Sequence, residues 1–523
     1  MIALKNFVLA ILFICLALPG EQAHGQGFKT DSVFQHFDVD HVNVSDLTSV
    51  VRIPLFSWAQ RGSSRSLAFV LTANTPLWYA TSNCSNAYDC NYFYNHDIPS
   101  PTLLVSSPNI GGFGPGIMPA GMAYTNSKNY LFENPATQEF FTYDRTYVVD
   151  DSGASHELWV DANNPSTSRT IDGSGYLVDG DGIKDRSGRT ITSSWGPVPS
   201  ATNTIKDNDG NTISWTADID GNNTWQDTVG RSVTISRAPD TDVSGCPTPP
   251  SGAPAPTSKT TLTVSGYAAP YVLCGTEFNI NTNFWGNGPG ISVISSGPGD
   301  CAGDPGCPAA VTTQYMENSG PTGALQSITL PDGRAWIFLY DSAPVGNTTT
   351  EAYGEIKRII LPTKGSIWYC YKHDWLKPGA LATPNGNAMS MYISERVVDS
   401  DPTAPDYQCG SLASAPGRSI WQYKPGPASQ GYAITITDPS QNDETVTYVP
   451  DPANNQYQNN TRTDNYYSGS GGSRQLIKSV VENIQGIRLP FTGDPAERFF
   501  SFVNRNSIKS TTLDGIAAET DSS

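Results

Sequence analysis

"SITLPDGRAWIFLYD" (residues 327–341) is followed by a second stretch built on the same plan, "RIILPTKGSIWYCY" (358–371). Each has an apolar run, a Leu-Pro pair, a short polar turn and an aromatic-rich run. Gly323 aligns with Gly354, Leu325 with Ile356, Ile328 with Ile359, and Leu330-Pro331 with Leu361-Pro362. With one residue inserted in the second copy, Gly333 then falls on Gly365 and Trp336 on Trp368. Proline presets φ at the first corner of a turn, and glycine supplies the left-handed conformation that closes it. Pro331, Asp332, Gly333, Pro362 and Gly365 therefore read as structural turn residues. Trp336, Tyr340 and Trp368 read as packing residues on the returning strands. Such a hairpin cannot bury its own apolar face and has to stack on neighbours.

Working outward, most of the chain reads as strands. Residues 40–78 alternate strand, loop, strand, with Val42, Val44, Val51, Ile53 and Leu55 before "AQRGSSR" and Leu67, Phe69 and Leu71 after it. From 171 to 237 Asp/Asn-Gly pairs punctuate runs of Thr, Ile, Val and Trp, as tight hairpins require. "CPTPPSGAPAPTSK" (246–259) reads as an extended linker or surface loop. Residues 473–487 have both helical and strand spacing, and residues 509–523 read as a tail. The expected organisation is a signal peptide over 1–25, an N-terminal β region over 26–165 and an Asp/Asn-Gly hairpin region over 166–245. A Pro-rich linker or loop then covers 246–262, a β region 263–508, and a flexible tail 509–523. The expected fold class is mostly β, with stacked antiparallel hairpins preceded by a β-sandwich-like region.

Composition agrees with that class. The chain has 523 residues, 15% charged and 10% aromatic, with 48 Gly and 39 Pro. Net charge is −18, which argues against nucleic acid or an anionic membrane surface as partner. Lys5, an apolar run from Phe7 to Leu18 and Ala23-His24-Gly25 have the form of a secretory signal. The run is shorter than the roughly 20 apolar residues that span a bilayer, and no integral span is expected. The mature chain is expected in the periplasm, at the cell surface or secreted. Cys15 leaves with the signal, and Cys84, Cys90, Cys246, Cys274, Cys301, Cys307, Cys370 and Cys409 remain. An even number in an exported chain favours disulfides, and spacing suggests neighbour pairs. Cys-x2-4-Cys zinc knuckles are absent.

The order "DGRAWIFLYDS" then "YGEIKRIILPTKGSIWYCY" resembles the YD-repeat, or Rhs, family of exported bacterial proteins, with Tyr340-Asp341 at the name-giving pair. "ITITDPSQNDETVTYV" (434–449) is a weaker echo, and "VNVSDLTSVVRIPLFSWAQRG" (43–62) resembles the segment leading into such proteins. The resemblance covers about two thirds of the chain and implies a repeat-built β-sheet at the cell surface. Complete members form hollow shells around a C-terminal toxin. Here the shell-terminating motif and a recognisable toxin are missing.

Chemistry leaves fewer signals. "DIDGNNTWQD" places Asp218, Asp220, Asn222 and Asp227 at spacings that suit calcium, but the same residues make a hairpin turn, and no cofactor is expected. "HFDVDH" puts His36, Asp38 and Asp40 on one face of a strand, as a metal site or, more simply, a polar edge. In "HELWV" Val160 replaces the second histidine of a zinc-peptidase motif, and no Gly-x-Ser-x-Gly elbow or phosphate loop occurs. No catalytic residues are assigned. The expectation is a non-catalytic surface scaffold or adhesion protein that contacts carbohydrate or other surface proteins. A toxin-system shell and an exported carbohydrate-active enzyme are the alternatives.

Overall fold

The structure is a computed structural model. It describes residues 34–44, 47–60, 66–75, 78–84, 90–96, 102–105, 117–119, 123–133, 140–149 and 155–161. Between 168 and 217 it describes 168–169, 177–179, 182–184, 190–192, 202–206 and 209–217. Beyond these it describes 222–238, 242–284, 286, 288–297, 311–375, 389–427, 432–450, 459–488, 502–513 and 516–522. Strand is nearly the only regular secondary structure among them. A 22-stranded antiparallel sheet runs from Ser168–Arg169 to Ile516–Ser522, each strand pairing with the next in sequence. Only Val293–Gly297 and Val311–Met316 leave it, to join Cys90–His96 and Trp78–Cys84 in a four-stranded sheet. The residue types explain the strands. In Tyr432–Thr437, Ile434 and Ile436 are buried while Thr435 and Thr437, alternating with them, are half-exposed, the period-two pattern of β-branched residues in a sheet with one covered face.

The cover is the N-terminal sheet. Strands β1 (Phe34–His36), β2 (Asp40–Asn43), β3 (Ser49–Ala59) and β4 (Ser66–Thr75) pair in order, with Thr102–Val105 and Ile117–Pro119 beyond them. Val51, Ile53 and Phe56 of β3 are buried in one apolar cluster with Trp225, Ile328, Phe338, Ile359, Tyr369 and Ile434 of the long sheet. Phe56 stacks on Tyr271 at 5.9 Å, and Phe69 meets Trp225 edge-on at 5.8 Å. The arrangement is a two-layer sandwich, with the N-terminal sheet lying on one face, the inner face, of the long sheet.

Sequential antiparallel pairing puts every second connection on the same edge of the sheet. One edge therefore collects the turns 227–231, 330–334, 361–365 and 438–442, the loops 265–270 and 400–417, and residues 209–211. Four of the turns share one design. Gly230 N–H donates to Asp227 O, Gly333 N–H to Leu330 O, Lys364 N–H to Leu361 O, and Gln441 N–H to Asp438 O. The first residue of each also donates its own N–H to the fifth residue's carbonyl (Arg231, Arg334, Gly365, Asn442). The fourth residue is left-handed in each case, at φ +83° for Gly230 and Gly333, 71° for Lys364 and 62° for Gln441. This is a type I turn closed by a left-handed residue, the usual three-residue hairpin loop.

The alignment of the two Leu-Pro stretches has to be corrected. Lys364, not Gly365, is the counterpart of Gly333, and no residue is inserted. Tyr340 donates its hydroxyl to Leu325 O, and Tyr371 donates its own to Ile356 O. Both strands shift register immediately before that tyrosine, at Leu339/Tyr340 and Cys370/Tyr371. The offset is the same throughout: 361−330, 364−333 and 371−340 are all 31. Trp336 thus corresponds to Ile367, and the two occupy equivalent positions opposite Ile328 and Ile359. Trp368 points to the other face, because a one-residue slip in a strand exchanges its faces. There it packs with Cys370, Val397 and Tyr407.

Two excursions are clasped to that outer face. Cys246–Cys274 draws down the Pro-rich segment, whose Ala255 carbonyl accepts from Thr276 Oγ1. Cys370–Cys409 draws down residues 400–417, where Tyr407 O–H and Gly410 N–H both donate to Glu395 Oε2. Residues 475–488 form a strand rather than a helix, and 502–513 pairs with 516–522 where the sequence reads as tail. Residues 1–25, read from sequence as a signal peptide, lie outside the described residues. No helix among the described residues is long and apolar enough to cross a membrane.

Candidate functional site: an aromatic cleft over the paired turns

A cleft of about 1020 Å³ opens between the N-terminal sheet and the turn-bearing edge. Its base is the two hairpins: Leu330, Pro331, Asp332, Arg334 and Trp336 from one, Leu361, Pro362, Thr363 and Ile367 from the other. Tyr267 and Tyr271 close one side, and Val398 and Trp421 continue the inner face of the sheet. The opposite wall is the bend 37–39 between β1 and β2, with Pro54 and Leu55 of β3. Tyr271 is fixed by donating to Leu55 O at 2.9 Å, and burial raises its hydroxyl pKa above the usual value.

Arg396 anchors the cleft. It is 3% exposed, and its Nε and Nη2 both donate to Asp40 at 2.7 Å. Tyr369 O–H donates to the same carboxylate at 2.7 Å. Burial works against the Arg396 charge, but the Asp40 pair outweighs it and the guanidinium pKa is raised. Burial, with the Asp40 charge second, pushes the Tyr369 hydroxyl well up. The ring of Phe37 lies 3.5 Å from Arg396 Cζ and that of Trp421 5.0 Å away. Nη1 is the one nitrogen of this side chain without a hydrogen-bond partner.

Of the residues singled out by sequence, Pro331, Asp332, Trp336 and Pro362 come together at this cleft. Gly333 holds the first turn at φ +83°. Gly365 has a different reason: a Cβ there would stand 2.9 Å from Asp399 O. Asp332 is salt-bridged to Arg334 at 2.6 Å, and the Arg334 hydrogen bonds lower its pKa. Tyr340 is buried against Phe278 at 5.1 Å, away from the cleft, and Trp368 lies on the outer face. Cys84 and Cys90 face each other across a hairpin backbone, and Cys301 and Cys307 lie outside the described residues.

The acidic motifs resolve differently from one another. Asp218 and Asp220 lie outside the described residues. Asp227 has one carboxylate oxygen accepting from Val229 and Arg231 N–H and the other paired with Arg231, so it caps its own turn. Asp40 is the buried anchor, while Asp38 is exposed at the cleft mouth. Among the described residues, no three His, Cys, Asp or Glu side chains are grouped to hold a metal. Sequence reasoning missed Phe37, Tyr267, Arg396 and Trp421, which meet only through tertiary pairing. Comparison of the chain with models of known protein families, and with curated proteins, finds no match.

Proposed function

We propose that the chain is an exported, non-catalytic scaffold of the YD-repeat type, acting in the periplasm or at the cell surface, and that its aromatic cleft contacts carbohydrate. The cleft over the paired turns carries this reading. Trp336, Tyr267 and Trp421 line a concavity of the size that small ligands occupy, and aromatic rings suit the C–H faces of sugars. Of the two carboxylates at the mouth, Asp332 is bridged to Arg334, which lowers its pKa and disfavours it as the protonated acid that glycoside cleavage uses. The N-terminal sheet fills the inner face from Trp225 to Tyr448 with packed side chains, which favours a solid scaffold over an enclosing shell.

The test is co-sedimentation of the purified chain with insoluble polysaccharides, with reducing ends assayed in parallel. Binding that Trp336→Ala weakens at least tenfold, with no release of reducing ends, is expected. Release of reducing ends would establish the enzyme reading instead.

A further inference from the structure

We infer that the cleft is built for a neutral acetamido sugar, whose carbonyl oxygen is received by Arg396 Nη1; this rests on the glycan reading above. The observation is a buried donor left over. Asp40 takes Nε and Nη2 of Arg396, while Nη1 has no partner. Buried polar groups are nearly always hydrogen-bonded, so an orphan donor on a cleft-lining residue, covered by the Phe37 ring, marks the place of a partner.

The surroundings of Nη1 select the partner. Phe37 and Trp421, whose rings lie 3.5 and 5.0 Å from Arg396 Cζ, and Ile367 and Val398, which also line the cleft, carry no side-chain hydrogen-bond acceptor. A sugar hydroxyl would satisfy Nη1 but strand its own O–H among these side chains. A carbonyl only accepts, and an attached methyl group gains from the same apolar walls. A carboxylate is disfavoured. The Arg396 charge is already matched by Asp40, Asp38 stands at the mouth, and the chain carries −18 overall. A peptide carbonyl is the competing source. The strands of the long sheet beneath the cleft are each paired on both sides and offer no edge to an extended peptide. Phe37 covers the guanidinium from the bend 37–39. A rotamer change of this half-buried ring uncovers Nη1, a movement of the kind common at binding surfaces.

Tryptophan fluorescence of the full chain, titrated with the tetramer of β-1,4-linked N-acetylglucosamine and with cellotetraose, tests the assignment. The two sugars share a backbone and differ by acetamido against hydroxyl. The acetylated tetramer should bind at least tenfold more tightly. Arg396→Lys keeps a cation for Asp40 but loses Nη1, and should bring the two affinities within about twofold; Trp336→Ala should weaken both. Melting curves establish that the variants fold, and the comparison on the native chain stands if Arg396→Lys does not. Equal affinities on the native chain would overturn the acetamido assignment and leave the glycan reading intact. Binding of a polyproline decapeptide with neither sugar bound, or no binding at all, would overturn both.

Discussion

Lys364 and Gly365 show how much one position decides. The left-handed residue of the second Leu-Pro turn is a lysine at φ 71°, a conformation that costs an L-residue about 1–2 kcal/mol. Lys364→Gly should therefore stabilise the chain, by up to about 1 kcal/mol in a denaturant melt. Gly365→Ala should destabilise it, because the new Cβ would stand 2.9 Å from Asp399 O. If Gly365 were the turn's left-handed residue, Lys364→Gly would be neutral or harmful. The two tryptophans separate in the same way. Trp368 is 5% exposed, with the Arg358 guanidinium 4.2 Å from its ring, and truncation to alanine should cost about 3–5 kcal/mol. Trp336 is half-buried at the cleft, and its truncation should cost about 1–2 kcal/mol while removing binding. Similar stability losses for the two would contradict their placement on opposite faces. The turn was legible in "LPDG" because proline and glycine state their backbone angles. In "LPTKG" the nearest glycine drew the left-handed assignment away from lysine, and the tryptophan moved to the wrong face with it.

Between elements, β2 is held to the long sheet by Asp40, whose carboxylate is buried under Arg396 and Tyr369. Removing one partner of a buried pair leaves the other uncompensated. Asp40→Asn should cost about 3–5 kcal/mol, measured by chemical denaturation, and a change below about 1 kcal/mol would contradict the anchoring role. A second pair of strands carries a pH response. Burial, reinforced by the Asp464 charge, raises Glu444 to about 7, with Arg462 and Lys478 opposing. The folded state then holds a proton that the unfolded chain releases near 4.5. Stability should fall as pH rises from about 4.5 to about 7 and level off above, and Glu444→Gln should remove that slope. An unchanged slope in the variant would place the titration elsewhere. Hairpin order was readable along the chain, since neighbouring strands pair and their Asp-Gly and Pro-Asp-Gly turns are local signals. The anchor was not. Asp40 meets Arg396 across more than three hundred residues, and in "HFDVDH" its carboxylate looks no different from that of Asp38.

At the scale of the molecule, sequence-ordered hairpins build one long sheet, and the N-terminal strands return to cover its inner face. Two disulfides fasten loops to the outer face, so both surfaces of the central strands are covered. Mostly-β architecture followed from composition and strand alternation. The sandwich contact, and with it the cleft, followed from the pairing of segments too far apart for any local pattern to announce. What the cover leaves open is the turn-bearing edge, where Trp336, Tyr267 and Trp421 converge.

Hydrogen–deuterium exchange, with and without the polysaccharide that the chain sediments, tests this placement most directly. Protection on binding should be confined to residues 37–39, 266–271, 330–336 and 361–367, with the polysaccharide recovered at its original length. Protection elsewhere with these four segments unchanged, or a shortened polysaccharide, would contradict a non-catalytic cleft at the paired turns.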